Sequence, residues 1–74
     1  MALKKPESII EQINQIIRSR IQQGVYNAGS RLPSETTLAV EFGVSRSSVR
    51  NAMESLVNEG VIIRRHGDGT YVNK

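Results

Sequence analysis

The three residues Gly43-Val44-Ser45 leave the segments on either side of them little freedom. Glycine enters the left-handed conformation that ends a helix at no steric cost, and serine is among the best residues for starting one. A stop and a start separated by one residue force two helices to turn sharply against each other and to share a core. The preceding segment offers Leu38, Ala39 and Phe42 to that core. Ser34 stands before it as an N-cap, with Glu35 in the first turn, where the helix dipole favours an anion. A short helix over 35–42 is predicted. The following segment repeats Val49, Ala52, Met53, Leu56 and Val57 at helical spacing before Gly60, which predicts a helix from 46 to about 59.

A third helix precedes this pair. Ile9, Ile10, Ile13, Ile16, Ile17 and Ile21 form a stripe that begins near Glu7 and ends before Gly24. It reads as a core-facing stripe rather than a dimer seam. Residues 1–6, with Lys4 and Lys5, read as a flexible basic lead-in. Asn27-Ala28-Gly29 marks a turn. After Gly60, the β-branched run Val61-Ile62-Ile63 and the return Thr70-Tyr71-Val72 flank the glycine-rich turn His66-Gly67-Asp68-Gly69, so residues 61–73 form a β-hairpin. The expected architecture is one domain over residues 1–74, mainly α with a small β-hairpin (α+β): a three-helix winged helix-turn-helix. Phe42 and the two tyrosines are expected in its core.

The charge distribution points to a polyanion. Ten Lys and Arg against seven Asp and Glu give a net charge of +3, which is a mild bias. Its placement is more specific, because Arg46, Arg50, Arg64 and Arg65 lie in two stretches, 42–53 and 60–67, that hold no acid. At 100° per residue, Arg46, Ser47, Arg50 and Asn51 share the side of their helix opposite its apolar face. Cations in the first turns of a helix oppose its dipole, and a bound anion would remove that conflict. Arginine bonds bidentately to guanine in the major groove. Hydroxyls and main-chain amides hold phosphates, a role that suits Ser45, Ser47 and Ser48. Arg64 and Arg65, leading into His66 and Gly67, suit phosphates and the minor groove. Thr70 is a further phosphate candidate or a structural strand residue. Glu35 reads as a capping or interhelical residue.

Other classes find little support. One histidine and no cysteine leave few nucleophile–base pairs, and neither the P-loop nor the dinucleotide-binding glycine pattern occurs. The chain is expected not to be an enzyme, and no cofactor or metal site is assigned to its residues. His66 lacks an array of acids or cysteines with ligand spacing. No apolar run approaches the ~18 residues of a membrane span, and no signal-peptide core opens the chain, so a cytoplasmic protein without membrane partners is expected. With three aromatic residues, a stacking platform for single-stranded RNA is weakly supported. The competing expectation is a winged-helix module that binds protein and not DNA.

The segments "LPSE", "LA", "F-VSR", "VR-A", "L-EG" and "G-GT-V" occur here in order. With that spacing, residues from about Ile9 to Val72 resemble the DNA-binding domain of the GntR family of bacterial transcription regulators. The resemblance implies a repressor or activator that binds a palindromic double-stranded operator as a homodimer. It also implies a C-terminal domain that binds a small-molecule effector, so the chain is expected to be a DNA-binding fragment of a longer protein. It places Arg46 and Arg50 at operator bases or nearby phosphates, Ser45, Ser47 and Ser48 on the backbone, and His66-Gly67 at the minor groove. Many members carry an arginine after the glutamate of "LPSE". Thr36 stands there in this chain, so that contact becomes a weaker hydroxyl contact or is lost.

Overall fold

The computed structural model of the chain describes residues 6–73. Three helices, α1 (Pro6–Gln22), α2 (Glu35–Phe42) and α3 (Arg46–Asn58), are followed by strands β1 (Ile62–Arg65) and β2 (Gly69–Val72). Residues 1–5, and with them Lys4 and Lys5 of the expected lead-in, lie outside the described residues. Pro6 belongs to α1 and not to the lead-in. Proline suits the first helical position, where its missing N–H has no intrahelical partner to lose.

The α2–α3 junction forms as its sequence dictates. Ser34 Oγ accepts from the Thr37 amide at 3.1 Å, and Ser45 Oγ accepts from the Ser48 amide at 3.1 Å. Gly43 is left-handed (φ 68°, ψ 37°). Its amide donates to the Val40 carbonyl at 3.3 Å and the Val44 amide donates to the Ala39 carbonyl at 3.1 Å, the paired bonds of a Schellman cap.

The core gathers Ile13 and Ile17 of α1, Leu38 and Ala39 of α2, and Val49, Ala52, Met53 and Leu56 of α3, with Leu32, Ile62 and Val72 closing it. Asn14 is buried beside them, and its Oδ1 accepts from Arg18 Nε at 2.8 Å. The isoleucine stripe is mostly core, as expected, with Ile9, Ile10 and Ile21 half-buried against it. Ile16 departs from the pattern and is exposed. It lies at the edge of the arc whose centre is Ile13 and Ile17, where the neighbouring elements no longer reach.

Of the three aromatic residues expected in the core, Phe42 and Tyr26 pack half-buried against it, while Tyr71 lies half-buried on the hairpin. Phe42 and Tyr26 also flank the Arg20 guanidinium, which lies 5.2 Å and 5.8 Å from their ring centroids. Arg20 also donates to the Tyr26 hydroxyl at 2.7 Å and pairs with the Glu41 carboxylate, tying the end of α1 to α2. The Glu41 hydrogen bond, then that to Tyr26, holds the guanidinium charged more firmly than usual, and Arg20 keeps the Glu41 carboxyl below the ordinary carboxylate range.

β1 and β2 pair antiparallel with Ile62 opposite Val72 and Arg65 opposite Gly69. The loop before α2 joins them, which its turn residues did not foretell. Its Leu32 amide donates to the Thr70 carbonyl at 2.8 Å, the Val72 amide donates to the Ser30 carbonyl at 2.9 Å, and Arg31 bridges Tyr71. No helix among the described residues is long and apolar enough to cross a membrane.

Nothing lies within 4 Å of a Cβ built on Gly43, so the cost of a side chain there is purely conformational. Gly43→Ala is expected to lower the unfolding free energy by ~1–2 kcal/mol, and Gly43→Asn by less. Urea denaturation of the three proteins checks this.

Candidate nucleic-acid interface

The first turns of α3 present Ser45, Arg46, Ser47, Arg50 and Asn51 to solvent, while Val49, Ala52, Met53 and Leu56 are at most 1% exposed. One helix is thus anchored on one face and open on the other. Ser48 is half-buried, and its hydroxyl lies 3.0 Å from that of Ser45, so these two serines are already engaged in the cap. Arg46 forms no ion pair with any described residue.

Arg50 does have a partner. Its Nε donates to Glu35 Oε1 at 3.3 Å, and Arg64 of β1 donates to the other oxygen of the same carboxylate, also at 3.3 Å. Arg64 lies a further 3.9 Å from Glu54. The acid-free stretches of the sequence are therefore not acid-free in space, because the first turn of α2 brings Glu35 between α3 and the hairpin. The interhelical reading of Glu35 agrees with this geometry. The dipole conflict inferred from sequence is already offset at Arg50 and persists at Arg46.

The two hairpin arginines, adjacent in sequence, part company. Side chains alternate along a strand, so Arg64 shares the inward face of Ile62 and reaches Glu35. Arg65 points to the outer face, where its guanidinium lies 5.2 Å from the Tyr71 ring centroid. Tyr71 donates to Asp68 Oδ2 at 3.0 Å. His66 and Gly67 form the exposed tip with Asp68. Thr36 is exposed in the first turn of α2, and it lines a cleft together with half-buried Thr70 and buried Met53. Glu35 thus gathers Arg50 and Arg64, and the cleft gathers Thr36 and Thr70. Arg65, His66 and Gly67 stand at the wing tip, while Arg46 and Ser47 stay on the open end of α3.

A residue absent from the sequence reading belongs to this surface. Arg31 Nη2 donates to the Asp68 carbonyl at 2.7 Å, across 37 positions of sequence. Its only sequence signal was its position two residues before the "PSE" run.

Helix, tight turn, helix with a solvent-facing basic side and a hairpin against it is the winged helix-turn-helix arrangement. The profile of the "Bacterial regulatory proteins, gntR family" matches residues 9–72. The chain belongs to the GntR family. The HTH-type transcriptional repressor NagR of Bacillus subtilis is 41% identical over 71 residues, which are 96% of this chain and 29% of NagR. YurK of the same organism, an uncharacterized HTH-type transcriptional regulator, is 46% identical over 61 residues, 82% of this chain and 25% of YurK. This GntR-family chain therefore spans about a quarter of the curated relatives it matches. Among solved structures, a GntR family transcriptional regulator from Listeria monocytogenes superposes with a TM-score of 0.89 at 30% identity, over 99% of this chain and 62% of that one. The AraR(DBD) complex with operator ORX1 superposes with a TM-score of 0.83 at 36% identity, over 86% of this chain and 77% of that one.

Because one carboxylate holds both guanidiniums, Glu35→Gln should shift the Nε–H signal of Arg50 and the Nη–H signals of Arg64 together in nitrogen-15 spectra and leave those of Arg65 in place. The accompanying loss of stability should stay below about 1 kcal/mol, as for other solvent-exposed pairs.

Proposed function

We propose that this chain binds double-stranded operator DNA sequence-specifically and thereby regulates transcription. The observation that carries the reading is α3 itself, whose apolar face is locked in the core while Arg46, Ser47, Arg50 and Asn51 stay open at its N-terminal end. That end of a recognition helix meets the base edges in the major groove. Arg46 and Arg50 read bases, each good bidentate contact being worth ~1–3 kcal/mol of discrimination. Ser47, with Ser45 and Ser48 as far as the cap leaves them free, holds phosphates. Arg64 and Arg65 flank the backbone from the two faces of the hairpin, His66 and Gly67 approach the minor groove, and Thr36 and Thr70 offer hydroxyls beside them. The likeness to a domain solved on its operator supports this docking.

Family membership supports a regulator rather than an enzyme. Repression matches relatives such as NagR, a transcriptional repressor. With it we propose a palindromic site bound by two copies of the chain. Those relatives are long enough to hold a C-terminal effector domain besides the matched segment. We assign the response to a small molecule to such a domain, and no cofactor to the residues of this chain. The cytoplasm, where bacterial DNA lies, is the corresponding location. A winged-helix module that binds only protein is disfavoured, because such a module has no use for the basic open side that α3 retains.

A site selected by the chain from random duplexes gives the test. Arg46→Ala should weaken binding to that site and relax its preference by ~1–3 kcal/mol at one position. Arg64→Ala should weaken all sequences alike and flatten the salt dependence by about one unit. Fluorescence anisotropy across a salt series measures both, and equal affinity of Arg46→Ala for every duplex tested would defeat the recognition-helix assignment.

A further inference from the structure

The wing tip has little of its own to hold it. Residues 63–68 are exposed, and an isolated two-stranded hairpin is marginal in water. Within the turn, the Asp68 amide donates to the Arg65 carbonyl at 3.0 Å, and the Tyr71 hydroxyl reaches the Asp68 carboxylate. Arg64 ties β1 to Glu35, and the turn itself is tied to the body of the domain by Arg31. Its backbone is seated beside β2 by the Leu32–Thr70 and Val72–Ser30 hydrogen bonds and bridges Tyr71, so its side chain shares the outer face of the hairpin with Tyr71. From there the guanidinium crosses Gly69 and donates to the Asp68 carbonyl at 2.7 Å.

Gly69 is what allows that path. A Cβ on Gly69 would stand 2.6 Å from Arg31 Nε, closer than real contacts permit, and 3.2 Å from Cζ and Nη2, which is tight, so the arginine would have to shift. The guanidinium therefore passes through the space that a side chain at Gly69 would fill, while its Nη2 donates to the neighbouring carbonyl. A planar donor fork suits this geometry, and the single flexible ammonium of lysine does not reproduce it.

We propose that Arg31 is a positioning residue for DNA binding, a strut that fixes the wing tip so that Arg65, His66 and Gly67 are held ready for the duplex. Gly69 is its required seat. The proposal rests on the DNA-binding reading above, and Arg31 acts in it through the wing rather than by touching DNA.

The test uses Arg31→Met, Arg31→Lys, Gly69→Ala and the Arg31→Met/Gly69→Ala double variant. In the free protein, amide-exchange and relaxation measurements by NMR should show residues 66–68 loosened in all four, with the melting temperature of Arg31→Met close to that of the parent. On the selected duplex, Arg31→Met and Gly69→Ala should each bind roughly tenfold more weakly, the scale of one lost hydrogen bond from a charged donor. Arg31→Lys should not restore affinity. The double variant should be no weaker than Arg31→Met, because the methyl then has room. Restoration by lysine would make Arg31 a direct phosphate contact and overturn the proposal. Additive losses would detach Gly69 from Arg31 and overturn it equally, as would an unchanged wing tip in free Arg31→Met. If the parent chain retards no duplex even at low salt, the DNA-binding reading fails separately, and the NMR measurement still decides the strut.

Discussion

The burial of one face of α3 underlies everything else in this molecule. Val49, Ala52, Met53 and Leu56 meet α1 on one side and α2 on the other, and the base of the hairpin closes over them through Ile62 and Val72. Each large side chain so buried contributes about 1.5–3 kcal/mol. Among the described residues no second core competes with this one. Because the anchoring is one-sided, the opposite face of α3 can carry arginines and serines with no packing role. Its freedom to meet a partner is a consequence of how firmly the other face is held.

Around that anchor the charged groups act as fasteners between elements. Arg20 joins α1 to α2 through Glu41 and two aromatic rings. Arg18 pairs with Glu59 beyond the end of α3. Glu35 stands between α3 and β1 and neutralises part of the charge of Arg50 and Arg64. These pairs are at least partly solvated, so each adds little to stability. Their effect is on where guanidiniums point. A surface with Arg50 and Arg64 held by one carboxylate, and Arg46 unpaired among the described residues, offers graded rather than uniform attraction to an anion.

The architecture was legible because its signals are local. Ser34 and Ser45 cap their helices, Gly43 closes α2, and the spacing of Val49, Ala52, Met53 and Leu56 gives the face of α3. Errors arose where local pattern meets neighbours of finite reach. Ile16 belongs to the helical stripe by spacing, yet it lies past the edge of the groove that α1 packs into. Tyr71 belongs to the strand that carries Val72 into the core, yet it lies on the opposite face, beside Arg65. The candidate interface was half legible in the same sense. The exposure of Arg46, Ser47 and Arg50 followed from helix geometry, but their partners did not.

By itself the sequence determined three helices, a tight turn and a hairpin, and which side of α3 would be free, since caps, glycines and periodicity act over a few residues. Only the tertiary structure decided that Glu35 would sit between Arg50 and Arg64, and that Arg31 would cross Gly69 to reach Asp68. Those contacts join residues 15 to 37 positions apart. They depend on packing angles and strand register, which the whole core sets at once and no short stretch of sequence encodes.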